Sequence, residues 1–182
     1  MNCIISFSSR KQGNCEQIAE FIRNEFQNSK VFRFSEFQIH PCGNCHYQCF
    51  SNREECPYIS DREYTLLDAV CRSEMAYFVV PNYCDYPCAN FFIFNERSQC
   101  YFQGHSELLE QYLNVPKKFI VVSNSTSENF RLAFTQHVYD EPEILILSAK
   151  RYEKNSISGS LVALDEVRTE LEIFANECLC YD

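Results

Sequence analysis

The chain has 182 residues, 46% of them apolar and 23% charged, with a formal net charge of −9. That length and composition specify one folded domain with a real core and exclude a disordered segment. The acidic balance, with no basic stripe, excludes nucleic acid as a partner, and no apolar run reaches the roughly 18 residues of a membrane span.

The N-terminus reads MNCIISFSSR, which lacks the leading charge and long apolar region of an export signal, so a cytoplasmic chain is expected. Residues 1–7 read as a buried strand. Past Asn14, Ile18, Phe21, Ile22 and Phe26 form the apolar face of a helix. Residues 31–34 give a second, weaker strand, and a cysteine-rich insertion follows over 40–60. Ser60 and Glu63 then supply a capping-box signal for a helix with Tyr64, Leu67, Val70 and Cys71 on its inner face. Residues 76–80, 119–122 and 144–147 read as three further strands, with helical character possible over 126–138. Asp165 is a candidate N-cap for a last helix that buries Val167, Leu171, Phe174 and Cys178.

Short apolar strands without polar alternation, separated by helices, imply a parallel sheet with right-handed crossovers. Five such strands in a single domain over 1–182 point to an α/β three-layer sandwich of flavodoxin-like order 2-1-3-4-5. In a chain of this size with no export signal, the twelve cysteines read as thiols or metal ligands rather than disulfides. Cys3, Cys71 and Cys178 sit among apolar neighbours and behave as small core residues.

The loop 8–15 joins the first strand to the first helix. Its backbone N–H groups, the helix N-terminus, and the side chains of Ser8, Arg10 and Asn14 can donate to a dianionic phosphate. A single glycine in the loop excludes the Walker A and GxGxxG patterns. An ordinary turn whose serine and asparagine cap the helix fits the same residues.

In the insertion, Cys42, Cys45, Cys49 and Cys56 are spaced C-x2-C-x3-C-x6-C. Four thiolates so placed suit a [4Fe–4S] cluster or a structural zinc, for which His46 is an alternative ligand, and free thiols fit as well. Cys84 and Cys88 are spaced C-x3-C, which is wrong for a redox C-x-x-C pair, and packing is their expected role. His105 and His137 have no partner pattern.

The motif Ser8-x-Arg10-x-x-Gly13-Asn14-Cys15 resembles the phosphate loop of NADPH-dependent FMN reductases and iron–sulfur flavoproteins. Phe7 stands where that family usually has glycine, and Cys15 where it has threonine or serine. Pro81-Asn82-Tyr83 resembles the segment beside the flavin ring, and Glu96-Arg97 matches an Asp-Arg pair of the family, with Phe92 in place of a lysine. The cysteine run is similar to the family's cluster motif, with Asp61-Arg62 in place of its Asp-Asp pair.

The resemblance implies FMN, with the phosphate on Ser8, Arg10, Gln12, Gly13, Asn14 and Cys15. It places the ring beside Pro81, Asn82, Tyr83 and Cys84, and a third contact at Ser123 and Asn124, in the stretch 123–126. It implies hydride transfer from NAD(P)H to the flavin, then to a small acceptor or redox protein, with an iron–sulfur cluster as one route. Tyr86, Phe91 and Phe92 are expected over the nicotinamide side, or else in the core or a homodimer contact. An electron carrier without a small-molecule substrate, and a metal-binding relative that has lost flavin, are the alternatives.

Overall fold

A computed structural model describes residues 1–43, 45–125, 129–155, 157 and 160–177. The first strand, β1 (Asn2–Ser6), leads into α1 (Asn14–Glu25) and β2 (Ser29–Arg33). The cysteine-rich segment follows and ends at α2 (Glu63–Cys71). Next come β3 (Met75–Tyr83), a short β4 (Tyr86–Pro87), α3 (Ala89–Phe102) and α4 (Ser106–Asn114). The chain closes with β5 (Lys117–Ser123), α5 (Arg131–Phe134), β6 (Glu143–Ser148) and α6 (Asp165–Asn176).

The strands run β2-β1-β3-β5-β6, all parallel, which is the flavodoxin-like doubly wound order. The sheet has six strands rather than the five expected. The sixth, β4, pairs antiparallel with the end of β3 through Asn82–Pro87 and Tyr83–Tyr86. Cys84 and Asp85 at the tip have φ of 50° and 67°, the left-handed pair that a two-residue hairpin turn requires.

Side-chain alternation along each strand feeds two cores. Cys3, Ile5 and Phe7 point to the layer holding α2, α3 and α4, with Phe78, Phe91, Phe94 and Phe119. Ile4 points the other way, to α1 and α6, with Ile18, Ile22, Val79, Ile120 and Leu171. Both faces are covered, so the middle positions of the central strands are apolar on either side and no polar alternation marks them.

Several local expectations needed correction. No capping box forms at α2: Arg62, in a left-handed conformation, precedes the helix, and the Asp61 carboxylate instead accepts from the Glu63 N–H at 3.4 Å. Asp165 is the first residue of α6, and Leu164 precedes it as the cap. Helical structure between 126 and 138 is confined to α5 and the turn Thr135–His137, with 126–128 outside the described residues. Cys178 also lies outside them.

The helices α3 and α4 were not anticipated. In α3 the buried positions are Phe91, Phe94, Arg97, Cys100 and Tyr101. Their spacing is helical, but an arginine at a core position breaks the apolar stripe that marks such a helix in sequence. No helix among the described residues is long and apolar enough to cross a membrane.

Candidate functional site

The helices after β1 and β3 pack on opposite faces of the sheet, which opens a crevice beyond the carboxyl ends of these two strands. A small cavity of about 40 Å³ lies there, walled by Ser8, Arg10, Gly13, Asn14, Cys15, Pro81, Asn82, Tyr83, Val122 and Ile157. Two of the three loops expected around a ligand therefore meet. Ser123 adjoins them through Asn82, whereas Cys84 sits exposed at the hairpin tip.

The loop 8–15 is held from several sides. Ser8 Oγ accepts from the Arg10 N–H at 3.0 Å, and the Gln12 N–H is taken by the Glu16 carboxylate. Gln12 adopts a left-handed φ of 58°. Gly13 precedes α1 with no side-chain cap, so the donors at this end are those of the first helical turn, with the positive end of the helix dipole behind them. Asn14, expected to face a phosphate, turns its Oδ1 to the Leu161 N–H at 2.9 Å and so ties α1 to the approach to α6. The Arg10 guanidinium reaches the Ile157 carbonyl at 3.1 Å across the cavity mouth.

Phe7 and Cys15, on either side of the loop, both turn to the interior. Phe7 points away from the crevice into the α3 layer, against Phe34, Phe78, Phe91 and Phe94 with ring centroids 5.2–5.6 Å apart. Its carbonyl accepts from Asn90 Nδ2 at 2.8 Å and from the Cys88 thiol at 3.4 Å, which pins the loop to the start of α3. Cys15 is buried, and burial pushes its thiol up, so it presents a neutral group to the cavity.

Asn82 gives the most informative contact. Its Nδ2 donates to Ser123 Oγ at 3.1 Å, while its Oδ1, fully buried, has no partner. The Ser123 hydroxyl can accept or donate, so either orientation of the amide leaves one polar atom unpaired on the cavity wall. Ser123 Oγ also accepts from the Ser125 N–H at 3.0 Å, and the Ser125 hydroxyl donates to the Asp85 carboxylate. The third loop is thereby fastened to the Tyr83–Tyr86 hairpin, whose two tyrosines are exposed, with Tyr83 on the cavity wall. Asn124 is exposed and Thr126 lies outside the described residues.

Glu96 and Arg97 serve the cysteine-rich segment. Arg97 is completely buried. It pairs with both oxygens of Asp61, lies 3.4 Å from Glu63, and donates to the carbonyls of His40 at 2.8 Å and Tyr58 at 3.2 Å. Burial pushes Glu63 up to about 9, so it holds its proton at neutral pH. Glu96 accepts from the Cys42 N–H at 3.3 Å. The sequence had given these residues no joint role; the acidic residues near the end of the insertion were the available signal.

Of the four cysteines of the insertion, Cys42, Cys45 and Cys49 line one cavity, and Cys56 packs behind Cys49. Cys49 and Cys56 pack with Cys100 from α3, and Cys42 borders this cluster, while Cys45 lines the cavity alongside. Among the described residues, no group of three or more histidine, cysteine or acidic side chains is arranged to hold a metal ion. His105 pairs with Glu107 at the surface, and His137 is buried against Tyr112.

No family model matches the chain, and no curated protein does. Solved structures do. The Trp repressor binding protein from Bacillus subtilis superposes with a TM-score of 0.65 at 10% identity, covering 98% of this chain and 99% of its own. An FMN-dependent NADH-azoreductase from Bacillus anthracis, solved with FMN, gives 0.61 at 10% identity over 96% and 99%. The flavoenzyme NAD(P)H:(acceptor) oxidoreductase FerB from Paracoccus denitrificans gives 0.56 at 9% identity over 96% and 94%. At these identities the likeness establishes a shared fold.

Proposed function

We propose that this chain binds FMN in the crevice between β1 and β3 and acts as an NAD(P)H-dependent oxidoreductase toward a small electron acceptor. The carrying observation is the orphaned polar atom of Asn82, buried on the wall of a cavity at a helix N-terminus. Leaving such a group unpaired costs about 1–3 kcal/mol, which a ligand's own polar atoms recover. The fold supports the reading, since solved relatives in shape include the FMN-dependent NADH-azoreductase and FerB.

The residues suit a phosphate and a ring in separate places. By the room one water needs, the cavity of about 40 Å³ takes a few oxygen-sized groups and not a three-ring system. Ser8, Gly13 and the first turn of α1 would hold the phosphate, and Arg10 would add a charge-assisted contact by turning from Ile157. Tyr83 and Tyr86 offer exposed aromatic faces at the rim for the ring, and Asn82 would pair with a polar atom of the cofactor.

When bound, FMN supplies the two-electron chemistry, accepting hydride from a nicotinamide and passing electrons on. The protein's part is to bind, orient and exclude water, so no side chain is assigned as acid or base.

Titrating flavin-free chain with FMN and following flavin fluorescence tests the binding, and steady oxidation of NADH or NADPH by the loaded protein tests the activity. Saturation at one FMN per chain is expected, weakened at least about tenfold in Arg10→Ala. Unchanged fluorescence overturns the proposal; binding without nicotinamide oxidation leaves an electron carrier.

A further inference from the structure

Away from the flavin crevice, a second cavity of about 250 Å³ is lined by four thiols, those of Cys42, Cys45, Cys49 and Cys100. Glu96 and Gln99 of α3, Gln103 just after it, Gly43, and the aromatic rings of Tyr47 and Phe50 form the rest of its wall. Cys100 was not part of the cysteine run read from the sequence. It reaches the cavity because α3 packs along the insertion, and its Sγ lies 3.2 Å from that of Cys49.

We propose that Cys49 and Cys100 are a dithiol modification site, oxidised to a disulfide by a hydroperoxide entering through this cavity. A disulfide needs the sulfurs at about 2.05 Å, roughly 1 Å closer than they stand. Cys100 is fixed on a fourteen-residue helix, whereas Cys49 sits in the three-residue turn Gln48–Phe50, the more yielding partner.

The hydrogen bond gives the pair a direction. The Cys100 S–H donates to the Cys49 sulfur. Cys49 lines the cavity and sits on the more yielding turn, which makes it the attacking sulfur. In the first step Cys49 attacks a peroxide oxygen: the O–O bond breaks, a sulfenic acid forms, and water leaves when the peroxide is hydrogen peroxide. In the second, the Cys100 sulfur displaces the hydroxyl, the S–S bond forms, and a second water carries off the Cys100 proton. Two thiols are oxidised and one peroxide is reduced. The product ties the cysteine-rich segment covalently to α3. Cys42, which lines the same cavity, is the competing partner.

The test treats the reduced, metal-free full chain with one equivalent of hydrogen peroxide, followed by peptide mapping without reductant. Loss of both thiols and a cross-link between the peptides of Cys49 and Cys100 are expected, unchanged in Cys45→Ser. In Cys100→Ser, dimedone should trap a sulfenic acid on Cys49, with circular dichroism checking that the variant folds. The wild-type map needs no variant, so the proposal stays testable if that one unfolds. Retention of free Cys49 and Cys100 under excess peroxide overturns it, as does a link formed through Cys42 or Cys45 instead. Flavin is absent throughout, so the outcome is independent of FMN binding.

Discussion

Gly13 occupies a backbone conformation open to any residue, with φ −79° and ψ 176°. A Cβ there would meet Arg10 Cβ at 3.5 Å, an ordinary contact. Conformation therefore does not demand glycine, but a methyl group would narrow a cavity of only about 40 Å³. Gly13→Ala is expected to lower stability by about 1 kcal/mol or less, as loss of a glycine cap does, yet to weaken FMN binding at least about tenfold. Urea unfolding and flavin fluorescence on the same sample check both halves. Phe7 serves two parts of the fold at once. Its backbone belongs to the loop while its side chain belongs to the aromatic core under α3, so packing and not the crevice sets what that position tolerates.

Between elements, the Arg97 cluster decides how α3 holds the cysteine-rich segment. Removing the cation leaves Asp61 buried without its guanidinium countercharge, so Arg97→Met should cost about 3–5 kcal/mol, visible as a lower urea midpoint. Glu63 makes the cluster pH-sensitive. Its folded value of about 9 stands above the ordinary 4.5, so between those limits the folded chain binds a proton that the unfolded chain has released. This contribution to stability is complete below about pH 4.5 and is lost as pH rises toward 9. Glu63→Gln, which imitates the protonated group, is expected to gain on the wild type from pH 5 to pH 8 in urea midpoints. An equal difference at both pH values would rule out a raised Glu63.

Across the whole molecule, His137 sets an opposite dependence. It is buried among Phe78, Phe91, Phe94 and Phe119, with Tyr112 Oη 2.6 Å from Nδ1, and burial pushes it down to about 3. Below its ordinary 6.5 the unfolded chain takes up a proton that the fold refuses, so stability falls as pH drops from 6.5 toward 3. His137→Phe should reduce that acid sensitivity while costing about 1–3 kcal/mol at pH 7, because the Tyr112 hydroxyl loses its partner. Adding Tyr112→Phe should recover part of the loss, measurable as a double-mutant cycle in urea.

The sequence by itself determined the parallel strands, their order and the loop between β1 and α1. These rest on local apolar runs and on turn chemistry, each readable within a few residues. It also marked Pro81-Asn82-Tyr83, through a resemblance to a family segment, and these residues form the carboxyl end of the central strand β3. The tertiary structure alone decided which side chains meet across the chain. Arg97 finds Asp61 across 36 positions, and Cys100 finds Cys49 across 51. Such pairs depend on the angle at which α3 returns over the sheet, and no local pattern carries that angle. The same dependence hid α3, where a buried arginine interrupts an apolar face because its carboxylate partners come from a distant segment.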